Sequence, residues 1–447
     1  MSIEQVDSLK YYLIAFDAKG KERENDPNGL MSPVVLKELA DNPITDIFLM
    51  SHGWKYDVPA TEMSYNHWIG AMAANQADLE KIKQVRPGFH PLLIGLHWPS
   101  LPYGDENLGN QAVSFDNTVN SPLEQLIDQY AERIANTETA REALRTIFVS
   151  ALDNMAPNEL PSEVRQAYEV LNQAAALNYE GVGGAPGADY DTFDPDYLFE
   201  TAAKNSNLVS FDGIGDFIKS AVLAPLRILS FWKMKERARQ IGESAGFNLL
   251  TQLQQTSTDN VRFHLMGHSF GCIVVSATLA GPNSRGTLVR PVNSVALVQG
   301  ALSLWSYCSD IPKAPGQAGY FHSIIADHKV AGPIITTQSK YDTAVGTMYP
   351  PAVGIAGQVS FVPGELPKYG ALGTYGAQGP GIQIVGMDML PADKPYSFEA
   401  GKIYNLESSD FIRKTEQDSW WSGAHNNIYN DPAVAHAVWS AALGVSQ

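Results

Sequence analysis

The chain predicts an α/β protein built on a doubly wound, mostly parallel sheet with a large helical insertion. Three observations carry this expectation. Toward both ends of the chain, apolar runs of strand length alternate with segments of helical periodicity. Between residues 101 and 235 the alternation stops and helical periodicity takes over. In the second half, Gly267-His268-Ser269-Phe270-Gly271 stands between the apolar run Val261–Met266 and the helix-forming run Cys272–Ala280. That order reads as strand, tight turn, helix.

Residues 9–17 form the first predicted strand. A short helix near Pro33–Asp41 leads to a strand over Ile44–Met50, which ends in Ser51-His52-Gly53-Trp54. Residues 60–84 read as helical, with Met63, Trp68, Met72 and Leu79 among the apolar positions, and residues 91–98 as the next strand. Strands alternating with helices place helices on both faces of a parallel sheet.

Helices are predicted over 122–135, 138–153 and 161–177; Leu123, Leu126, Ile127, Tyr130 and Ile134 recur at threes and fours. The Gly-rich acidic stretch Tyr179–Pro195 has no preceding strand and no G-K-[ST] ending, so it is not a phosphate loop. Asp189, Asp191, Asp194 and Asp196 lack the glycine and terminal glutamate of a calcium loop and read as a solvated loop. The apolar segment 214–232 is interrupted at Pro225 and followed by a basic helix start at Lys233–Arg239. It either packs on the sheet, lines an acyl pocket or acts as a lid; Leu226, Leu229 and Phe231 are its candidate pocket residues.

Later strands are expected at Val295–Gln299, Gly332–Gln338 and Lys402–Leu406, and a last helix at Asp431–Leu443. Residues 346–395 form a loop-rich insertion in which Tyr349, Tyr369 and Tyr375 are candidate pocket-wall residues. The expected organisation is a core of 1–100 and 236–447, a helical insertion or cap of 101–235, and the 346–395 loops within the core.

Composition narrows the function. A formal charge of −17 argues against nucleic-acid binding, which requires a basic face, and against anionic membranes. Two cysteines in 447 residues exclude a disulfide framework. Cys272 reads as an apolar residue of the helix after the turn. No stretch is long and uncharged enough to span a bilayer, and Met1–Asp7 lacks the basic and apolar parts of a secretory signal, so a cytoplasmic setting is expected.

The chemistry concentrates at Ser269. The two glycines allow a turn too sharp for a Cβ, and the helix N-terminus behind the serine favours developing negative charge. A serine hydroxyl needs a base to take its proton and a third group to orient that base. His425 lies in a polar, Gly-containing loop before the last helix, whereas its rival His436 lies within that helix. Asp342 follows a predicted strand and is preferred as the acid over Asp310 and Asp410. The backbone N–H groups of Phe270 and Trp54 are the candidate oxyanion donors. His52 and His97 read as structural.

Together, the H-G turn, the G-x-S-x-G elbow, the post-strand aspartate and the late histidine resemble the α/β-hydrolase superfamily on its esterase and lipase side. The resemblance implies a serine hydrolase with a Ser269–Asp342–His425 triad, no metal or organic cofactor, and a small-molecule ester as substrate. The same parts serve an amidase, a thioesterase or an acyltransferase. A different class, a non-catalytic binding protein on the same fold, is the competing expectation. H-E-x-x-H and tight His/Cys clusters are missing from the sequence, which argues against a metalloenzyme.

Overall fold

The computed structural model describes residues 3–24, 27, 29–101, 122–153, 157–204, 221–342, 365–413 and 423–444. Strands β1 (Ile3–Val6), β2 (Leu9–Ala15), β3 (Asp46–Ser51), β4 (Pro91–His97), β5 (Arg262–His268), β6 (Ser294–Val298), β7 (Ile334–Gln338), β8 (Ile384–Asp388) and β9 (Ile403–Glu407) form one sheet. Its order is β1-β2-β4-β3-β5-β6-β7-β9-β8. Every neighbouring pair is parallel except β1 with β2. The fold is therefore mixed α/β with a nine-stranded, mostly parallel sheet. The strand progression reverses at β3, whose neighbours are β4 and β5; in open α/β sheets such a reversal opens a crevice at the carboxyl ends of the strands.

The helices are α1 (Met31–Asp41), α2 (Val58–Ala74), α3 (Gln76–Val85), α4 (Pro122–Arg133), α5 (Glu138–Asp153), α6 (Ser162–Ala175), α7 (Pro195–Lys204) and α8 (Ala224–Ile241). They continue with α9 (Phe247–Thr256), α10 (Gly271–Ala280), α11 (His322–Ala326), α12 (Leu372–Tyr375), α13 (Gly423–Asn426) and α14 (Pro432–Leu443). Period-two alternation along β3 divides the core: Phe48 and Met50 join Trp68, Met72 and Trp439 on the face covered by α2, α3 and α14. Ile47 and Leu49 face the other side, packed with α1, α8, α9 and α10.

Two predicted elements need revision. The helix expected over 60–84 is two helices broken at Asn75. Pro225 does not interrupt the apolar helix but starts it, at the first turn where its missing N–H costs nothing. That helix, α8, then runs unbroken across residue 235, and a π turn over Gly242–Gly246 joins it to α9. Strands β1 and β8 had no sequence signal; β1 is an edge strand with no fully buried residue, and β8 alternates intermediate with exposed positions.

The middle helices share the main apolar cluster with the sheet: Ile127, Leu144, Ile147, Tyr168 and Leu171 belong to the same buried group as Leu229 and Ile273. The acidic stretch is not a solvated loop. Asp189 is buried against Lys235 of α8 in an ion pair. Asp191 binds Lys368 Nζ at 3.0 Å and accepts the Tyr369 hydroxyl at 2.5 Å. Asp196 is held by Arg165 through two contacts of 2.6 and 2.9 Å. Asp194 caps α7 by accepting from the Tyr197 N–H at 3.0 Å. Gly187, at φ +101°, lies so near α8 that a Cβ would come within 2.5 Å of Glu236 Cβ.

Lys235→Met removes the cation and leaves the Asp189 carboxylate buried. The expected cost is about 3–5 kcal/mol of stability, much of it recovered in the Asp189→Leu/Lys235→Met double variant. Urea denaturation of the three proteins checks this. A double variant as unstable as the single one would show that the lost packing, not the stranded charge, sets the cost.

Candidate active site

The sheet delivers the candidate residues to one edge. Ser51 ends β3 and leads to His52-Gly53-Trp54; Ser269 follows β5; Asp342 follows β7; His425 lies on α13, beyond β9. All four sites therefore stand at the carboxyl ends of parallel strands.

Ser269 has φ +56°, in the left-handed region that a residue with a side chain enters only under constraint. The constraint is visible on both sides. Its N–H donates to Val298 O at 3.1 Å, and its carbonyl accepts from Cys272 N–H at 3.1 Å as α10 begins. A Cβ on Gly267 would lie 2.4 Å from Gly271 O, and one on Gly271 would lie 2.2 Å from Ser51 O. Only glycine fits at either position. Gly53 is also too close for a side chain: its Cβ would sit 2.8 Å from Ser269 Cβ. The H-G turn and the elbow are thus in backbone contact.

His52 orients that turn. It is fully buried, and its Nδ1 lies 2.8 Å from Gly53 O while Trp98 N–H approaches Nε2 at 3.2 Å. A carbonyl can only accept and an N–H only donate, so the ring is the neutral Nδ1–H tautomer. Burial and the nearby His97 push its pKa well down, which favours that state. With the Gly53 carbonyl turned to His52, the N–H of Trp54 in the same planar peptide points the opposite way. His97 is also neutral: burial pushes its pKa down to about 4, and Nδ1 pairs with Thr61 Oγ1 at 3.0 Å.

His425 Nδ1 lies 2.7 Å from Asp342 Oδ2. Asp342 is buried, while the His425 side chain retains 12% of its exposure. The same carboxylate oxygen accepts from Gln299 Nε2 at 2.7 Å. Gln299 directly follows β6 at φ +46°, and its Oε1 accepts from Thr337 Oγ1 at 2.8 Å. Sequence reasoning missed this residue; a glutamine past a strand end carries no motif. His425 also lies beside the elbow, because its carbonyl is 2.9 Å from His268 Nε2 and the two rings are 4.7 Å apart.

The rivals lie elsewhere. His436 is paired with Asp78 of α3 at 2.8 Å and with Lys394 O at 2.8 Å. Asp310 accepts from Gly316 N–H at 2.6 Å within its own loop, and Asp410 is exposed. Of the candidate pocket residues, Leu226 and Leu229 are buried in the main cluster. Phe231 reaches the site: its ring lies 5.7 Å from Trp54 and 5.2 Å from Phe270, and Trp54 stacks on Phe270 at 5.4 Å. Tyr369 is turned toward Asp191. Tyr349 lies outside the described residues, as do 214–220 and 346–364 of the two insertions.

A second Asp–His–Ser chain occupies the opposite edge of the sheet. His264 meets Asp46 Oδ1 at 3.1 Å through Nε2 and Ser294 Oγ at 2.8 Å through Nδ1. All three are buried, Arg86 pairs with Asp46, and Ser294 opens a regular strand. It ties three strand starts together.

Among the described residues, no group of three His, Cys, Asp or Glu side chains is placed to hold a metal ion, and no helix is long and apolar enough to cross a membrane. Comparison with known protein families, curated proteins and solved structures finds no match.

Burial alone would lower the His436 pKa, but the hydrogen bonds it donates to Asp78 and Lys394 O and the Asp78 charge raise it above its usual 6.5. The pairing therefore stabilises the fold below pH 6.5 and loses that contribution as the pH climbs through the raised value. His436→Gln should lower the melting temperature more at pH 5.5 than at pH 8.5. An equal drop at both would show that packing, not charge, is what the histidine supplies.

Proposed function

We propose that the chain is a serine hydrolase of the α/β-hydrolase class that cleaves a carboxylic ester through an acyl-enzyme on Ser269. The observation that carries the reading is the part-buried Asp342–His425 hydrogen bond, formed beside the turn that holds Ser269 in the left-handed conformation. Ser269 follows β5, Asp342 follows β7 and His425 lies on α13, beyond β9.

Ser269 Oγ attacks the carbonyl carbon as His425 takes its proton through Nε2. Asp342 fixes the Nδ1–H tautomer and stabilises the imidazolium, and Gln299 holds the carboxylate in place. The Trp54 and Phe270 N–H groups receive the oxyanion. His425 then returns the proton to the departing alcohol, and water repeats the sequence on the acyl-enzyme. An amide or thioester carbonyl enters the same steps with a different leaving group.

A fluorophosphonate probe should label Ser269 alone, and Ser269→Ala should lower p-nitrophenyl acetate hydrolysis by about 10⁴-fold or more with the fold intact. Asp342→Asn should lower kcat by up to roughly 10⁴-fold with little change in KM. Labelling at another residue, or retained activity in the pure alanine variant, sinks the assignment. A folded protein that neither labels nor turns over any ester, amide or thioester is a binding protein instead.

Phe231 should act on acyl-chain preference, because its ring packs on both residues that supply the oxyanion donors. Each buried CH₂ contributes about 0.8 kcal/mol, roughly fourfold in specificity constant, until the pocket is full. Phe231→Ala should move the chain-length optimum across a p-nitrophenyl ester series. An unchanged profile in the folded variant makes α8 plain core.

A further inference from the structure

Around the candidate triad lies a buried polar chain that the chemistry just described does not use. His268, the residue before Ser269, is 1% exposed. Its Nε2 lies 2.9 Å from the main-chain oxygen of His425. Its Nδ1 lies 2.6 Å from the Tyr429 hydroxyl, and the Tyr56 hydroxyl donates to Tyr429 at 2.9 Å.

The proton positions follow from the acceptors. The His425 carbonyl has no hydrogen to give, so His268 Nε2 carries one. In the neutral ring Nδ1 then offers a lone pair, so Tyr429 must donate to it. The Tyr429 oxygen in turn accepts from Tyr56. The chain runs one way, Tyr56 to Tyr429 to His268 to His425, and admits no second arrangement with a neutral ring. Burial, with the neighbouring His425 imidazole, pushes the His268 pKa well below its usual value, in keeping with that state.

The chain joins the two turns that β3 and β5 bring together to a third segment, the one that carries His425. Tyr56 lies two residues beyond Trp54, His268 belongs to the elbow, and Tyr429 lies just past α13, which carries His425. The Asp342 contact holds one ring nitrogen of His425, and the His268 contact holds its main-chain carbonyl.

We propose that His268, held by Tyr429 and Tyr56, is a positioning residue that sets the backbone of His425 against the nucleophile elbow and ties it to the oxyanion turn. This rests on the serine-hydrolase reading above. Its ligand is internal: the carbonyl oxygen of the base itself. Neutrality is part of the role, since a protonated ring 4.7 Å from His425 would oppose the imidazolium that forms there.

The test compares His268→Leu, His268→Gln and Tyr429→Phe in the full chain, by fluorophosphonate labelling rate at Ser269 and by kcat and KM for p-nitrophenyl acetate. A glutamine amide can donate from the position of Nε2; leucine cannot. His268→Leu should slow labelling and lower kcat by roughly 10- to 100-fold, with KM nearly unchanged. His268→Gln should restore most of that rate, and Tyr429→Phe should cost about 5-fold while folding normally. A leucine variant that labels at the wild-type rate, or a glutamine variant no better than leucine when both are folded, overturns the proposal while Ser269 remains the nucleophile. Absence of Ser269 labelling in the wild-type protein removes the hydrolase reading itself, and this proposal with it.

Discussion

The arrangement at the carboxyl edge of the sheet depends on one close approach, that of the backbone after β3 to the backbone after β5. A Cβ on Gly271 would enter the Ser51 carbonyl, and one on Gly53 would enter Ser269. Two adjacent parallel strands bring these turns together, and the missing side chains let them touch. Everything else is referenced to that contact. It forces the left-handed backbone at Ser269, sets the start of α10 behind it, and brings the Gly53–Trp54 peptide alongside. His52 then fixes which way that peptide faces, with one neutral tautomer satisfied at both nitrogens.

The insertions are tied to the core by charge as much as by apolar packing. Asp189 fastens the acidic stretch to α8, and Asp191 fastens it to Lys368 and Tyr369 of the second insertion. Gly373, a few residues on, packs against Gln299 past the end of β6, and its carbonyl accepts from Ser339 N–H at 2.9 Å, on the approach to Asp342. A continuous path of contacts therefore runs from the middle insertion to the segment carrying the acid. In a chain with a net charge of −17, each of these aspartates has a protein partner.

Much of this was legible in the sequence because the relevant signals are local. Buried parallel strands read as continuous apolar runs, so β3, β4, β5, β6, β7 and β9 were found. The elbow is a contiguous motif whose glycines have a steric cause. His425 and Asp342 could be placed because strand ends are local features. The signal failed where the determinant is a partner far away in sequence. Asp189 resembles any loop carboxylate until Lys235, 46 residues on, is seen beside it. Gln299 is an ordinary residue until the chain folds Asp342 against its amide. Strand β8 carries no buried face to mark it, and Pro225 could be read as a break or as a start because its own conformation suits both.

Pattern alone would also offer a second candidate. Asp46, His264 and Ser294 satisfy the donor and acceptor order of a catalytic chain, with good distances and deep burial. What separates the two is environment. Ser294 sits in an extended strand at the amino edge, its histidine bound on both nitrogens and its aspartate taken up by Arg86. Ser269 sits on a strained turn at a helix start, beside a histidine that keeps some access to solvent. Beside that histidine His268 is held neutral by burial, as are His52 and His97 at the H-G turn, and each is bound in a way that suits the neutral ring. Of these imidazoles, His425 has the carboxylate contact, to Asp342. On the serine-hydrolase reading proposed above, a positive charge forming on it would be stabilised by Asp342, and a charge on the adjacent His268 would oppose it.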